Sequence, residues 1–294
     1  MSPDQDGTDP PWGGRRVLVV GASAGIGRAV VLRAAALGAE VVAVARRGNR
    51  LTDLAGEVAA AGSAGSVIAV TADVTRPGDG AALAEQIAVD GPLDAVVYAA
   101  GCATLRRLAD MASTDWERIL TTNLVGFNQV MAALVSTVST VSTGSTVAGC
   151  LADQAVVAAL SSEVVGRPRH GLAAYGVSKA ALEESILAWR LEQPQLRFCR
   201  VRVGATQPTD FGSDFDAEAL GPILEDWVRN GLLPTAFMET AELATVLVDV
   251  VGSMVTYPGI TVEDLLLRPS APALADVAEL GADPQPDRPS GTGP

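Results

Sequence analysis

The sequence has few of the residues that build metal sites and disulfide frameworks. A single histidine, His170, occurs among its 294 residues. The three cysteines, Cys102, Cys150 and Cys199, are odd in number, far apart and without metal-ligand spacing. Lysine is equally scarce, because Lys179 stands alone among 21 lysines and arginines. We therefore predict neither a metal site nor a disulfide framework, and the lone amine indicates a specific role.

Basic residues are also outnumbered by acidic ones, 21 to 34. The formal net charge is −13, with 19% charged and 48% hydrophobic residues. Proteins that bind nucleic acids usually present a basic face, so this balance argues against DNA or RNA as the main partner. The length and hydrophobic content predict instead a globular protein with a sizeable core, in one large domain or two small ones.

Long apolar runs are missing as well. The nearest candidate for a membrane span, residues 138–160, is rich in Ser and Thr and contains Asp153. Residues 1–12 are acidic and rich in Pro and Gly, unlike a secretory signal, and we interpret them as a flexible leader. The composition of residues 270–294 predicts a disordered tail. We expect an ordered domain over 13–269, no membrane partner and a cytoplasmic location.

Short apolar runs alternate with stretches of helical periodicity along most of the chain. The run at residues 16–22, RVLVVGA, is followed by GRAVVLRAAALGA, whose apolar spacing fits a helix that ends at Gly38. Similar runs occur at EVVAVAR, SVIAVTADV, LDAVVYAAG, AVVAALSS and FCRVRVGA. Apolar strands that alternate with amphipathic helices are typical of a parallel sheet with helices on both faces. We therefore predict a single doubly wound α/β domain.

A glycine-rich turn follows the first predicted strand. In GASAGIG, Gly21, Gly25 and Gly27 have the spacing G-x-x-x-G-x-G at the junction of strand and helix. Small residues there let the backbone approach a pyrophosphate, and the start of the helix offers unpaired N–H groups and a positive dipole. With Ser23 and Ile26, the turn is a candidate dinucleotide site. The alternative is a tight turn needed only for close helix packing.

The end of the second predicted strand bears on which dinucleotide binds. An acidic residue about 20 positions after the glycine turn usually holds a ribose 2′-hydroxyl, whereas a 2′-phosphate needs a cation. Here the sequence reads VARRGNR, with Arg46 and Arg47 in that place. Guanidinium groups pair with phosphate oxygens in fork geometry, and the Ser23 hydroxyl is a further candidate ligand. We predict NADP(H) in preference to NAD(H), the alternative being a solvated arginine pair.

Further motifs resemble those of the short-chain dehydrogenase/reductase family. Tyr175 and Lys179 form the family's YxxxK motif, and Ser162 lies thirteen positions before the tyrosine, which is the family spacing of the catalytic serine. Asn123, in TTNLVG, matches the family's helix asparagine. The resemblance covers nearly all of residues 13–268 and implies that these four side chains are catalytic.

The same resemblance implies a Rossmann fold and a set of cofactor contacts. Asp73, in ADVT, matches the aspartate that contacts adenine in the family. Beyond the glycine turn, the arginine pair and the YxxxK motif, the implied contacts are Asp73, Val74, Ala100, Gly101, Gly204 and Thr206. Relatives commonly associate through helices, so a homodimer or homotetramer is expected.

The chemistry of phenols explains why a lysine suits position 179. On a helix, Tyr175 and Lys179 lie one turn apart on the same face. A free tyrosine has a pKa near 10, and we expect a nearby ammonium to lower it. By family resemblance, Tyr175 exchanges a proton with the substrate oxygen and Ser162 stabilises charge on it. Lys179 also orients the ribose, and Asn123 holds a water that connects the lysine to solvent.

These features together predict an NADP(H)-dependent oxidoreductase. It would transfer a hydride between nicotinamide and a small-molecule carbonyl or secondary-alcohol substrate. One alternative is a regulator that binds NADP(H) without turnover. The other is a non-redox epimerase or dehydratase, although the related enzymes of that kind usually have different glycine spacing and longer chains.

The sequence departs from the family pattern in two places near the cofactor. Residues 98–101, YAAG, replace Asn-Asn-Ala-Gly, so the hydrogen bonds of those asparagines must be supplied differently. Residues 203–204, Val-Gly, replace Pro-Gly. Thr206 or Thr209 is expected to take the place of the family threonine that lies near the carboxamide.

Two segments differ from the common core of the family. The Ser/Thr-rich residues 136–154 are in excess of the usual length, and we predict a surface loop or an extension of the preceding helix. Residues 206–237 correspond to the mobile region over the pocket, and LGPILEDWVRNGLLP predicts an amphipathic helix there. The apolar positions of that helix face either core or substrate.

Overall fold

The computed structural model describes residues 12–140, 145–213, 215 and 217–275. Its strands are β1 (Arg16–Val20), β2 (Glu40–Ala45), β3 (Ser66–Thr71), β4 (Leu93–Tyr98), β5 (Thr137–Thr140), β6 (Ser145–Ala148), β7 (Leu151–Ser162), β8 (Arg197–Val203), β9 (Thr206–Gln207), β10 (Met238–Glu239) and β11 (Asp264–Leu267). Its α-helices are α1 (Gly25–Ala36), α2 (Gly48–Ala60), α3 (Asp79–Ala88), α4 (Ser113–Leu120), α5 (Gly126–Val135), α6 (Ala173–Glu192), α7 (Ala217–Arg229) and α8 (Thr240–Thr256). A π-helical segment, Thr121–Val125, joins α4 to α5.

Seven of these strands form one parallel sheet in the order β11, β8, β7, β4, β1, β2, β3. The order reverses beside β1, because β2 and β3 lie on one side of it and β4 and the later strands lie on the other. In open α/β sheets, ligands bind at the carboxyl ends of the strands where the order reverses. The predicted doubly wound sheet is confirmed, and it places a crevice beyond the ends of β1 and β4.

The inner strands are buried on both faces, which explains their continuous apolar sequences. α1 and α8 cover one face, where Val31 and Leu247 are fully buried. α3, α5 and α6 cover the other, where Phe127 and Leu182 are fully buried. Each such side chain contributes about 1.5–3 kcal/mol, so apolar packing holds both helical layers on the sheet. Within the described ranges, no helix combines the length and apolarity needed to cross a membrane.

The ordered structure extends past both limits of the predicted domain. Trp12, which falls in the predicted leader, is only 2% exposed and packs its indole against α8. Leu274, which falls in the predicted tail, is 4% exposed and continues the fold past residue 269. Trp12 is flanked by Pro and Gly, and Leu274 by Ala, so neither belongs to a periodic apolar pattern and the sequence placed both limits too far inward. Residues 1–11 and 276–294 lie outside the described residues.

The Ser/Thr-rich insertion differs from its predicted structure. α5 ends at Val135, and β5 and β6 then pair as an antiparallel hairpin. The prediction of a surface loop or a helix extension is therefore wrong for these strands. The repeated Thr and Val residues explain the outcome, because β-branched side chains favour strands over helices. Residues 141–144 lie outside the described residues.

The segment 206–237 contains α7, as the amphipathic pattern predicted. β9 and β10 pair in parallel at its two ends, with Thr206 opposite Met238, so the segment returns to its starting point. The edge strand β11 was not predicted from the sequence. Its sequence, DLLL, is apolar but only four residues long, so it gave no clear strand signal.

Candidate active site

A cavity of about 430 Å³ opens at the carboxyl ends of β1 and β4. All predicted cofactor residues line it, together with three of the four predicted catalytic residues. These lining residues are Gly21, Ser23, Gly25, Ile26, Gly27, Arg46, Arg47, Asp73, Val74, Ala100, Gly101, Ser162, Tyr175, Lys179, Gly204 and Thr206. Asn123, the fourth predicted catalytic residue, lies behind the wall and contacts Cys102. The fold thus brings together groups that are far apart in the sequence.

The glycine turn is too tightly packed for larger residues at two positions. A Cβ on Gly27 would lie 2.3 Å from the carbonyl oxygen of Gly21. Gly21 itself has φ of +90°, and a Cβ there would lie 2.6 Å from the backbone nitrogen of Ala100. α1 begins at Gly25, and its N-cap, Ala24, supplies no side-chain hydrogen bond. The first turn therefore offers backbone N–H groups and a positive dipole to the cavity, which fits a pyrophosphate.

A group of arginines lies beside this turn. Arg46 and Arg47 follow β2 directly, and Arg47 donates from Nε (3.1 Å) and Nη2 (2.9 Å) to Oγ of Ser23. The carboxylate of Asp210 lies 2.7 Å from Nη1 of Arg47 and 2.9 Å from Nη1 of Arg50. Sequence reasoning missed Arg50 and Asp210. The available signal for Arg50 was its position three residues after Arg47, in the first turn of α2.

Asp73 organises the turn after β3. Its Oδ1 accepts hydrogen bonds from the backbone N–H (3.0 Å) and Oγ1 (2.7 Å) of Thr75. Burial opposes ionisation of this carboxyl, but the Thr75 hydrogen bonds and the charges of Arg46 and Arg76 outweigh it and lower the pKa of Asp73. The ionised carboxylate thereby fixes the loop that carries Val74 into the cavity wall.

Tyr175 and Lys179, on α6, meet the end of β7. The side chains of Tyr175 and Ser162 are hydrogen-bonded. Lys179 donates from Nζ to the carbonyl oxygen of Leu160 over 2.8 Å, and the same Nζ lies 5.9 Å from the centroid of the Tyr175 ring. Tyr175, Ser162 and Lys179 are all buried. A proton donor, a hydroxyl and an amine therefore share one wall of the cavity.

Burial determines the protonation states of Tyr175 and Lys179. It raises the pKa of Tyr175 to about 12, against the opposing effect of the hydrogen bond with Ser162. It also lowers the pKa of Lys179 to about 8, a change that Cys102 and Glu183 partly oppose. The expected net lowering of the Tyr175 pKa is not found, because desolvation of the phenol outweighs the interactions that favour the phenolate. Tyr175 thus keeps its proton at neutral pH.

Asn123 is fully buried in the π-helical segment. Its Oδ1 accepts a hydrogen bond from the N–H of Cys102 (2.8 Å), and its Nδ2 donates to the carbonyl oxygen of Cys102 (2.9 Å) and to Oγ of Ser178 (2.8 Å). The amide therefore ties the loop after β4 to α6, one residue before Lys179. The water-holding role of Asn123 stays a prediction.

Tyr98, the first residue of YAAG, is fully buried at the end of β4. Its hydroxyl donates to the carbonyl oxygen of Thr122 (3.2 Å), and its ring meets that of Phe127 edge to face at 5.3 Å. Burial raises the pKa of Tyr98, so the phenol remains a donor. The link from β4 to the π-helical segment is therefore made by a phenol, where the family pattern has an asparagine.

The chain after β8 closes the opposite side of the cavity. The N–H of Gly204 donates to the carbonyl oxygen of Leu267 in β11 (2.9 Å), and Oγ1 of Thr206 donates to the carbonyl oxygen of Gly204 (3.0 Å). Thr209 lies over the glycine turn, where a Cβ on Gly25 would stand 3.5 Å from it. Both threonines thus line the cavity, although the Thr206 hydroxyl donates within its own loop.

The remaining wall is largely apolar and aromatic. Its apolar members are Val164, Leu172, Phe211, Phe215, Trp227, Leu233 and Phe237. Glu163 and Arg169 interrupt this wall and pair with each other, and the guanidinium carbon of Arg169 lies 5.7 Å from the ring centroid of Trp227. His170 lies outside the wall, with Nδ1 3.5 Å from a carboxylate oxygen of Asp226. This position agrees with the interpretation of His170 as a loop residue.

Comparison of the sequence with known proteins identifies relatives of one family. Residues 15–220 match the family described as short chain dehydrogenase. A glycine betaine reductase of Emericella nidulans is 33% identical over 214 residues, which make up 71% of this chain and 16% of that protein. The chain therefore spans a small part of that relative's length.

Solved structures of similar fold point to the same family. A short chain dehydrogenase from Burkholderia cenocepacia, in complex with NADP, is 25% identical with a TM-score of 0.69 over 88% of this chain and 98% of that one. A 7α-hydroxysteroid dehydrogenase, complexed with NADH and 7-oxo glycochenodeoxycholic acid, is 18% identical with a TM-score of 0.69 over 92% and 100% of the two chains. The second likeness shows the fold alone. This chain belongs to the short-chain dehydrogenase/reductase family of oxidoreductases.

Proposed function

We propose that this protein is an NADP(H)-dependent oxidoreductase that interconverts a carbonyl group and a secondary alcohol. The observation that carries the proposal is the convergence of Tyr175, Ser162 and Lys179 on one wall of the cavity that also contains the glycine turn. A proton donor therefore stands in the same cavity as a site suited to a dinucleotide. When bound, the nicotinamide supplies or accepts the hydride.

In reduction, Tyr175 donates its proton to the carbonyl oxygen of the substrate. A pKa of about 12 keeps the phenol protonated at neutral pH. Ser162, hydrogen-bonded to Tyr175, is positioned to donate to the same oxygen and to stabilise negative charge on it. Lys179, which is protonated below a pH of about 8, stabilises the phenolate left behind. At neutral pH the free enzyme is therefore in the protonation state that reduction requires.

The arginines beside the glycine turn support NADP(H) as the cofactor. Arg47 holds Ser23 with two of its nitrogens, and Arg50 lies close enough to share a carboxylate with it. Arg46 lines the same cavity. A 2′-phosphate carries several acceptor oxygens, and guanidinium groups bind such oxygens in fork geometry. The Arg47 and Arg50 side chains, with the Ser23 hydroxyl, would hold that phosphate.

The aromatic wall supports a substrate with a sizeable apolar part. Phe211 meets Tyr175 edge to face at 5.1 Å, and Trp227 and Leu233 lie in the same wall, each less than a tenth exposed. Burial of apolar substrate surface contributes roughly 25 cal/mol per Å², so a hydrophobic ketone gains more here than a polar sugar. We propose hydrophobic ketones and their alcohols as the substrate class.

A titration of the purified protein with NADPH and NADH, followed by nicotinamide fluorescence, tests the cofactor assignment. We expect tighter binding of NADPH, and replacement of Arg47 with alanine should remove most of that difference. Equal affinities in the wild type would contradict the preference. A screen of hydrophobic ketones with the tighter cofactor then tests for hydride transfer. Binding without transfer to any carbonyl would favour the regulator as the alternative function.

Removal of one hydroxyl tests the role of Tyr175. Tyr175→Phe should lower kcat roughly a hundredfold or more, because general acid catalysis contributes about that much. The dissociation constant for NADPH should change little. Tyr257→Phe is the matched control, since Tyr257 is 60% exposed and lies outside the cavity wall. Undiminished turnover by Tyr175→Phe would refute the proposed chemistry.

A further inference from the structure

One acidic side chain lies on the cations that we assign to the 2′-phosphate. Asp210 Oδ2 is 2.7 Å from Nη1 of Arg47 and 2.9 Å from Nη1 of Arg50. Its backbone is held in a local turn, because N and Oγ of Ser213 both donate to the carbonyl oxygen of Asp210. The preceding residue, Thr209, lies over the glycine turn. The segment 206–237 thus places an anion at the adenosine end of the proposed cofactor site.

The same segment reaches the catalytic tyrosine. Phe211, the next residue, meets the Tyr175 ring edge to face with centroids 5.1 Å apart and planes inclined by 67°. Phe215 packs against Phe211 in turn, at 5.5 Å. One peptide bond therefore connects Asp210, whose carboxylate pairs with Arg47 and Arg50, to Phe211, whose ring contacts Tyr175. A backbone movement at either residue would shift the other with it.

We propose that Asp210 is a specificity-determining residue, which competes with the cofactor 2′-phosphate for Arg47 and Arg50 and, when displaced, withdraws Phe211 from Tyr175. The inference rests on the proposed NADP(H) function. NADP(H) brings the anion that replaces the carboxylate. NAD(H) has no such group, so Asp210 keeps its ion pairs and Phe211 keeps its place.

The strength of these contacts suits displacement. The side chains of Arg47, Arg50 and Asp210 are each 43–47% exposed. Exposed ion pairs of this kind contribute little to stability, because water screens them. A phosphate carries up to two negative charges and three acceptor oxygens, so it forms more charge-assisted hydrogen bonds with two guanidinium groups than a carboxylate can. The carboxylate therefore holds the segment in place without blocking the stronger ligand.

The binding of two adenine nucleotides tests the competition directly. The probes are adenosine 2′,5′-bisphosphate, which carries the 2′-phosphate, and 5′-AMP, which does not. Calorimetric dissociation constants are measured for the wild type, D210N and D53N. We expect D210N to bind the bisphosphate about two- to fivefold more tightly and 5′-AMP unchanged, the fold-change that corresponds to one exposed ion pair. D210S should reproduce the gain, which excludes an effect of the asparagine amide.

D53N is the matched control. Asp53 is exposed on α2 and lines the same surface depression as Arg50 and Asp210. Among the described residues it forms no ion pair with either arginine. Its replacement removes the same charge from the same region, so it measures the general electrostatic effect. An equal gain in D53N and D210N would overturn the competition.

Hydrogen exchange tests the link to Tyr175. The bisphosphate should raise exchange in a peptide that covers residues 208–213, and 5′-AMP should leave it unchanged. An unchanged peptide with the bisphosphate bound would overturn the withdrawal of Phe211. If neither D210N nor D210S binds the bisphosphate more tightly than the wild type, the competition is overturned, but the NADP(H) assignment still stands. If the wild type binds both nucleotides equally, the NADP(H) assignment fails and the inference with it.

Discussion

Ser161 donates a hydrogen bond of 2.6 Å to the buried carboxylate of Glu183. Glu183 also accepts a hydrogen bond from Nε of Arg202 (2.8 Å) and lies one helical turn after Lys179 on α6. The next serine, Ser162, bonds instead to Tyr175. Two adjacent serines at the end of β7 therefore have separate tasks: the first anchors α6 and the second bonds to the proton donor.

This division gives a matched pair of substitutions. Ser162→Ala should lower kcat by about a hundredfold, because it removes a donor to the oxygen on which charge develops. Ser161→Ala should instead lower the free energy of unfolding by about 1–3 kcal/mol, because a buried carboxylate loses a hydrogen bond. Steady-state kinetics and urea unfolding of both variants separate the two effects. A larger loss of kcat in Ser161→Ala would contradict the assignment.

The rate of reduction should fall as the pH rises through about 8. Burial lowers the pKa of Lys179 to about 8, so its ammonium is present below that pH and lost above it. Tyr175, with a pKa of about 12, keeps its proton throughout this range. The descending limb therefore reports on Lys179. The measurement is kcat/KM for reduction between pH 6 and 10. A profile that stays flat to pH 10 would contradict the assignment of the descending limb to Lys179.

Replacement of Glu183 by glutamine should move that limb to lower pH. The negative charge of Glu183 partly opposes the effect of burial on the Lys179 pKa, so its loss lowers that pKa further. The same pH series on Glu183→Gln measures the displacement. Glu184→Gln, on the exposed side of α6, is the control and should keep the wild-type profile. A limb displaced to higher pH would show that Glu183 acts in another way.

Tyr98→Phe should lower the free energy of unfolding by about 1 kcal/mol with kcat largely retained. The substitution removes the hydrogen bond to Thr122 and keeps the ring contact with Phe127. Thermal or urea unfolding checks the stability, and Tyr257→Phe serves as the exposed control. Unchanged stability would mean that the phenol hydroxyl does not hold the π-helical segment to β4.

Two glycine-to-alanine substitutions should have opposite effects. Gly27→Ala places a Cβ 2.3 Å from the carbonyl oxygen of Gly21 and should cost roughly 1–3 kcal/mol of stability and most of the NADPH affinity. Gly56→Ala, in α2, meets no atom within 4 Å and should stabilise the protein by about 0.5–1 kcal/mol. Unfolding curves and NADPH titrations check both variants. Equal destabilisation by the two would contradict the packing argument.

The site residues that were predicted correctly from the sequence all belong to local sequence motifs. The glycine turn, Ser162, Tyr175 and Lys179 are recognised by short fixed spacings along the chain, and the fold brings all of them to one cavity. The alternation of apolar runs likewise predicted the sheet, because buried parallel strands need continuous apolar sequences.

Contacts between distant segments were beyond that reasoning. The pairing of Asp210 with Arg47 joins residues 163 positions apart, so no spacing rule indicates it. The pKa of Tyr175 depends on how deeply the phenol is buried, which the helix pattern alone does not determine. β11 is an edge strand stabilised by backbone hydrogen bonds to β8, and its own sequence does not indicate that it pairs with β8.

The π-helical segment makes the site sensitive to chain length. α4, this segment and α5 form one uninterrupted helical stretch from Ser113 to Val135. A π turn holds about one residue more than an α turn, and each residue of an α-helix turns the chain by about 100°. Deletion of Leu124 would therefore rotate α5 by about that angle against α4. Either Phe127 would leave the core or Asn123 would lose its contact with Cys102. The extra residue of the π turn therefore lets one helical stretch direct Asn123 to the site and Phe127 to the core at the same time.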